Sequence, residues 1–321
     1  MSGTDEFSLI EIFAEHFRAP VADVWLGIGD DAAVTSLPSG RDLVTATDAL
    51  IEGTHFLPET DPRSVGHRSL AINLSDIAAM GAEPHWATLS LSLPSGDRDW
   101  VTRFAAGFAA LAKEFGVTLI GGDTVRGPLG ASVTLLGSVP SGAAVTRSAA
   151  QSGDRLFVTG VPGHAGAGCR IRMGALSADD PDDYLACFEY PQPQVRLAVE
   201  LRELVTAMID VSDGVAPDLA RLLAASSKGA VCVIPGLGRL EDDFGTDEAV
   251  SLFLSGGEDY ELCLTVAPDN VEQVQSLAAA HRIPLHELGV VHDEAGISWS
   301  HDGVVLPTPA EAFSHFGAGD E

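Results

Sequence analysis

Apolar positions recur along this chain in two rhythms. Some stretches repeat them at every third or fourth residue, others gather them into short unbroken runs, and the mixture predicts both helices and buried strands. Residues 6–18 read as a short amphipathic helix with Phe7, Leu9, Ile10, Phe13 and Phe17 roughly on one face, leading through Val24, Trp25 and Leu26 into an acidic turn. Leu43 to Asp48 reads as a strand ending in an aspartate. From Pro62 to Ala82 the pattern is helical, which puts Asp76 near the C-terminal end of a helix rich in small and apolar residues. The clearest helix begins at a capping Asp99, carries Trp100, Phe104, Phe108, Leu111 and Phe115 at helical spacing, and stops at Gly116. Its aromatic stripe belongs to a core.

Buried strands are expected from Val117 to Ile120 and from Ser132 to Val139, and the polar stretch Ser148 to Gly153 marks a boundary. The expected division is therefore residues 1–150 and 151–321. The second part restarts with a strand at Arg155 to Thr159 and a glycine-rich turn from Gly160 to Gly168. After these come a helix from Gln194 to about Leu204, a strand into Asp210-Val211-Ser212-Asp213, and a helix carrying Leu219, Leu222 and Leu223. A strand from Tyr260 to Val266, a helix from Asp269 to about His281 and a strand from Leu285 to Val291 follow. Both parts mix helices and strands in an α/β (α+β) manner, with no short-period repeat.

Charge changes the picture. The chain sets 46 acidic residues against 18 basic ones, a net charge of −28, and only Lys113 and Lys228 are lysines. Such a field repels nucleic acid and anionic membrane surfaces. A phosphate ligand would need cations to mediate its binding. The excess beyond a metal site is read as a high-salt or acid-surface adaptation. Cys169, Cys187, Cys232 and Cys263 show no C-x-x-C spacing and are expected to be free thiols of a reducing compartment. The N-terminus has no signal-peptide pattern and no apolar run reaches about 18 residues, so a cytoplasmic location is expected.

The candidate chemistry lies in short acidic segments beside glycines or strand ends: Gly27-Ile28-Gly29-Asp30-Asp31, Thr47-Asp48, Asn73-Leu74-Ser75-Asp76, Gly121-Gly122-Asp123-Thr124, Asp210-Val211-Ser212-Asp213-Gly214 and Gly256-Gly257-Glu258-Asp259. Any one of them alone is an ordinary turn or cap. Their recurrence reads as a carboxylate cage for hard cations, Mg²⁺ bridging phosphates being the commonest, because gathered carboxylates repel unless something positive lies between them. The turn Gly160 to Gly168 is no Walker loop, since Cys169 and Arg170 stand where Lys and Ser/Thr belong; it reads as a closely packed connection. Arg126 and Arg147 fit either a phosphate fork or a surface ion pair, and His55 either a substrate contact or a loop closure.

Taken together, these segments, with Ile77-Ala78-Ala79-Met80-Gly81 after Asp76, Thr146-Arg147-Ser148 and Ser255-Gly256-Gly257-Glu258-Asp259-Tyr260-Glu261-Leu262, resemble the thiamine-monophosphate kinases of the aminoimidazole-ribonucleotide-synthetase-like superfamily over nearly the whole chain. The resemblance implies a two-domain fold, an N-terminal dimerising sheet or barrel domain plus a C-terminal α/β domain, and a homodimer. It implies an ATP-dependent, Mg²⁺-dependent phosphorylation of thiamine monophosphate to thiamine diphosphate. By matching motifs, Asp31, Thr47, Asp48, Asp76, Asp123, Asp210 and Asp213 would hold several Mg²⁺ ions, with Asp30 beside them. Gly122, Asp123, Arg147 and Ser212 would contact ATP, and His55, Glu258 and Phe313 would meet thiamine monophosphate. Ala46 stands where many members carry Ser, and Phe313 where an aromatic hydroxyl can occur. Sibling ATP-dependent enzymes and a non-catalytic divalent-cation binder are the competing expectations.

Overall fold

The computed structural model describes residues 6–18, 21–29 and 31–307, leaving the side chains of Glu6 and Phe7 aside. Asp30 and Phe313 thus lie outside the described residues. The chain forms two compact units, Met1–Ala78 with Ala82–Ala144, and Ala79–Gly81 with Val145–Glu321.

The first unit runs α1 (Glu6–Phe17), β1 (Val24–Leu26), β2 (Val34–Thr35), β3 (Arg41–Ile51), α2 (Pro62–Ala79), β4 (Glu83–Leu93), α3 (Arg98–Phe115), β5 (Thr118–Arg126) and β6 (Gly130–Pro140). Its main sheet has the order β3-β6-β4-β5, with β4 and β5 parallel and the other pairs antiparallel. Alternation along the strands turns Leu89, Leu91, Leu93, Val133 and Leu135 inward. The aromatic stripe of α3 is core as expected: Phe104 and Phe108 are fully buried, and Phe13 and Phe17 of α1 meet them edge-on at 6.1 and 6.2 Å.

The cap of α3 is Asp97 rather than Asp99. Its Oδ1 accepts from the amides of Asp99 (3.0 Å) and Trp100 (3.1 Å), which starts the helix two residues earlier than expected, and Gly116 ends it with φ 69°. Helix α2 is buried along most of its length, its Ser64, Arg68, Ser69, Asn73 and Ser75 as buried as its leucines. It crosses α3 backbone to backbone. A methyl group at Gly66 would lie 2.0 Å from the Phe104 carbonyl oxygen, and one at Gly107 would lie 1.9 Å from that of Arg63.

The second unit contains β7 (Arg155–Thr159), α4 (His164–Arg172), α5 (Asp182–Glu189), α6 (Val195–Leu201), β8 (Val205–Val211), α7 (Val215–Ala225), β9 (Gly229–Val233), α8 (Arg239–Phe244), α9 (Thr246–Ser255), β10 (Glu261–Val266), α10 (Val271–His281), β11 (Leu285–His292), β12 (Gly296–His301) and β13 (Val304–Val305). One sheet orders them β13-β12-β9-β11-β7-β10-β8. Leu156, Val158, Ile209, Val211, Leu219, Leu222, Phe253 and Trp299 form its core. The segment expected to be a glycine-rich turn is mostly helix, α4, because Gly166 and Gly168 let it pack against the backbones of Gly256 and Tyr184. Cys232 and Cys263 are buried and free, and burial pushes the Cys232 thiol up to about 12.

At the start of β10 the Glu261 carboxyl packs under the Gly160 turn, where a methyl group would overlap it. It accepts from Thr159 Oγ1 (2.5 Å) and Gln194 Nε2 (3.2 Å). The residue keeps some accessible surface, but its carboxyl oxygens face the interior. Burial pushes its pKa up to about 7 against the pull of those two donors.

Two consequences are measurable. Gly107→Ala should lower stability by about 1–3 kcal/mol despite its better helix propensity, because α2 and α3 must separate; a shift of the urea midpoint to lower concentration checks it. For Glu261 the folded state keeps a proton that the unfolded chain releases. Its stability is therefore greatest below the ordinary carboxyl value and falls as pH rises through the folded value. Between about pH 5 and pH 8 the native protein should lose about 1–3 kcal/mol relative to Glu261→Gln, after allowance for partial exposure. Parallel pH slopes in denaturant unfolding would exclude it.

Candidate active site

In the first unit the acidic candidates are set by strand pleat and helix phase. Thr47 and Asp48 are neighbours on β3, so they point to opposite faces of the sheet. Thr47 Oγ1 donates to the Val133 carbonyl (3.1 Å) and meets Thr134 Oγ1 (3.0 Å). Asp48 instead meets Asp76 of α2 side chain to side chain. Neither Asp48 nor Asp123 closes a strand as expected, because β3 and β5 both run on beyond them to Ile51 and Arg126.

The Asp48–Asp76 contact is the most telling in this unit. Asp48 retains solvent-accessible surface, yet protein crowded around its carboxyl raises its pKa, while the hydrogen bond with Asp76 and the charge of His55 pull the other way. Two carboxyl groups in hydrogen-bond contact share a proton or a cation. The donor set, two hard oxygen ligands on rigid elements, fits Mg²⁺.

His55 is tethered on three sides. Its Nδ1 accepts from the Ile51 amide (3.0 Å), its own amide donates to the Ile51 carbonyl (2.8 Å), and its carbonyl accepts from Nη1 of the fully buried Arg68 (3.0 Å). With Nδ1 an acceptor, the neutral ring carries its proton on Nε2. Arg68 carries no periodic signal in the sequence, since it stands beside Arg63 and His67 on a helix otherwise of small and apolar residues.

Asp31 and Asp123 line one cavity of about 680 Å³, together with Gly121 and Gly122. Gly122 has φ 153°, and a methyl group there would lie 1.9 Å from the Leu89 carbonyl oxygen of the paired strand β4, so this position of β5 before Asp123 accepts no side chain. Among the described residues no group of three His, Cys, Asp or Glu side chains converges into a metal-holding cluster. Within the first unit, the described contact between candidate carboxylates is the Asp48–Asp76 pair.

In the second unit, Asp210 is buried at the next-to-last position of β8, and Ser212 and Asp213 follow in the turn before α7. Glu258 lies beside this turn, its amide donating to the Ser212 carbonyl (2.7 Å) and its Oε2 accepting from Tyr260 Oη (3.3 Å). Glu258 and Tyr260 both adopt positive φ, 65° and 51°, a backbone strain that places them in this segment. Arg147 is exposed, and its carbonyl accepts from Ser226 Oγ (2.7 Å).

The chain fills two amide nests with its own carboxylates. Asp259 accepts from the amides of Gly163 (2.9 and 3.0 Å) and Ala165 (3.3 Å) at the start of α4, and Asp218 accepts from those of Ser212 and Asp213 (both 2.9 Å). Burial raises the pKa of both, and the amide hydrogen bonds oppose it. Asp259 explains why the glycine-rich segment is no phosphate loop. The helix terminus that would cradle a phosphate is already filled by a carboxyl group of the chain. Asp259 stands within one of the acidic segments of the sequence, whereas the only signal of Asp218 is that of an acidic residue in the first turn of a helix.

With this geometry in view, likeness to known proteins is informative. The N-terminal domain of the AIR synthase related proteins matches residues 29–139 and their C-terminal domain matches residues 151–301. Thiamine-monophosphate kinase of Escherichia coli K12 is 39% identical over 319 residues, 97% of this chain and 98% of that protein. The crystal structure of thiamine-monophosphate kinase from Stenotrophomonas maltophilia K279a is 40% identical with a TM-score of 0.85, over 94% of this chain and 98% of that one. AaThiL complexed with AMPPCP and TMP is 26% identical with a TM-score of 0.76, over 98% and 97% of the two chains. The chain belongs to the thiamine-monophosphate kinase family of AIR synthase related enzymes.

Proposed function

We propose that this chain transfers the γ-phosphoryl group of ATP directly to thiamine monophosphate, giving thiamine diphosphate and ADP, with Mg²⁺ required. The observation that carries the proposal is the 39% identity to the Escherichia coli kinase over 97% of the chain. A relative complexed with AMPPCP and TMP supports ATP and thiamine monophosphate as the ligand pair.

The acceptor defines what the protein must do. A phosphate monoester has a second pKa of about 6, so its oxygen is already mostly deprotonated at neutral pH and no general base is needed. What opposes reaction is the approach of one anion to another. Asp31, Asp48, Asp76, Asp123, Asp210 and Asp213, with Thr47, would hold Mg²⁺, which when bound neutralises charge on both phosphates and on the transferring group. Asp48 and Asp76 hold their carboxyls in contact on a strand and a helix, so little reorganisation is needed to receive a cation. Gly122, Asp123, Arg147 and Ser212 would contact ATP. His55, oriented by Ile51 and Arg68, would offer Nε2–H to the thiamine phosphate, with Glu258 and Phe313 as further substrate contacts.

The 11-residue strand β3 is an open edge of its sheet, with Leu43 and Ile51 exposed on it. Long open edges need cover, and a homodimer is the arrangement proposed. Light scattering should return twice the 33.4 kDa chain mass. A monomer at micromolar concentration would count against it. The four free cysteines support a reducing compartment, here the cytoplasm.

Purified protein mixed with ATP, Mg²⁺ and thiamine monophosphate should yield thiamine diphosphate and ADP in equal amounts, and nothing from free thiamine. Excess chelator should abolish the product. Asp76→Asn and Asp123→Asn should each lower turnover by roughly 100-fold or more, the scale of removing a group that stabilises transition-state charge. Near-native turnover in both variants would overturn the metal assignment. Absence of product across Mg²⁺ and salt concentrations would point to a sibling ATP-dependent activity.

A further inference from the structure

The turn Ser212–Gly214 is built around two residues outside the proposed ligand set. Asp218, 1% exposed and one turn into α7, uses Oδ2 to accept from the amides of both Ser212 and Asp213 at 2.9 Å. Its other oxygen, Oδ1, pairs with Nη1 of Arg221. The second arm of the same guanidinium, Nη2, reaches Oδ2 of Asp213 at 2.5 Å. The contacts close a ring: loop amides to Asp218, Asp218 to Arg221, Arg221 back to the loop through the Asp213 side chain. On the other side the Glu258 amide holds the Ser212 carbonyl, and Gly214 adopts φ 119° within reach of the Leu254 carbonyl. Backbone and side chain of Asp213 are thereby fixed independently.

We propose that Asp218 and Arg221 are positioning residues for metal-bound nucleotide at Ser212 and Asp213, fixing the loop amides and aiming the Asp213 carboxylate without touching ligand themselves. The inference rests on the kinase reading above. Arg221 occupies one oxygen of Asp213, and a ligating carboxylate needs only the other; groups that hold ligating carboxylates in this way commonly govern metal affinity by about 10–100-fold. The fork is essential to the role. A lysine ammonium is a single point on a flexible stem and cannot span two carboxylates in fixed geometry. An acidic residue that merely caps α7 would contribute stability without choosing between ligands.

Calorimetric titration of Asp218→Asn and Arg221→Lys, each folded as judged by thermal melting, separates these roles. The two titrants are Mg²⁺ with a non-hydrolysable ATP analogue, and thiamine monophosphate. Both variants should bind the Mg²⁺–nucleotide at least about tenfold more weakly than the native chain and thiamine monophosphate within about threefold of it. Nucleotide affinity within about threefold of native in Arg221→Lys, or an equal loss for both ligands, would overturn the positioning role. Arg221→Lys, at a partly exposed side chain, carries the test alone if Asp218→Asn does not fold. A native chain that takes up no Mg²⁺–nucleotide would overturn the kinase reading and this inference with it, a result distinct from a loss confined to the variants.

Discussion

Carboxylates that a fold brings together need a positive partner, and most of the arrangement around this site follows from that constraint. An unpaired charge inside a protein is costly, and two of like sign in contact are costlier still. The chain has 46 acidic residues and only 18 basic ones with which to answer them. It uses three answers. Backbone amides hold Asp259 and Asp218, an arginine fork holds Asp213 to Asp218, and hydrogen bonds to neighbouring side chains serve Asp48 at Asp76 and Glu261 at Thr159 and Gln194. Of the three, a contact between two carboxyl groups is the one most readily opened by a metal ion. That is why the proposed function puts a cation at the Asp48–Asp76 pair.

Each acidic group is delivered by a different backbone device. Asp48 is placed by the pleat of a long antiparallel strand, and Asp76 by the phase of a helix most of whose polar side chains are buried along with its apolar ones. The near approach of α2 to α3 at Gly66 and Gly107 sets that helix against its neighbour. Asp123 follows a glycine whose missing side chain lets two strands draw together, and Asp213 leaves a turn held by amides and an arginine. Loss of any one device would displace one carboxylate and leave the others in place.

How much of this was legible in the sequence depended on the range of the interaction. Helical spacing identified α3 and its aromatic stripe because the signal is local and repeated. The cap moved from Asp99 to Asp97 because either aspartate satisfies the local rule, and only the hydrogen bonds decide. The segment from Gly160 to Gly168 read as a turn, since glycines weaken helix propensity; α4 forms there because close packing against Gly256 and Tyr184 outweighs that preference. Short elements such as α5, α8, β9, β12 and β13 carry too few residues for periodicity to show. Among the site residues, acidic segments were visible by recurrence. Arg68, Asp218 and Arg221 were not, because their roles exist only once distant backbone atoms meet them.

The same constraint explains why a protein of this charge handles phosphates without a glycine-rich phosphate loop. Helix N-termini are ready anion sites, because their first amides have no partners within the helix. Here the start of α4 is given to Asp259, and the amides leading into α7 are given to Asp218. With those nests filled by the chain's own carboxylates and a field of −28 around them, direct backbone capture of a triphosphate would be opposed twice. On the proposed kinase reading, a cation shared between phosphate and carboxylate oxygens would supply the attraction that the amides cannot. The acidic surface would repel a metal-bound nucleotide less than a bare one, and the positioned carboxylates would orient it through that cation.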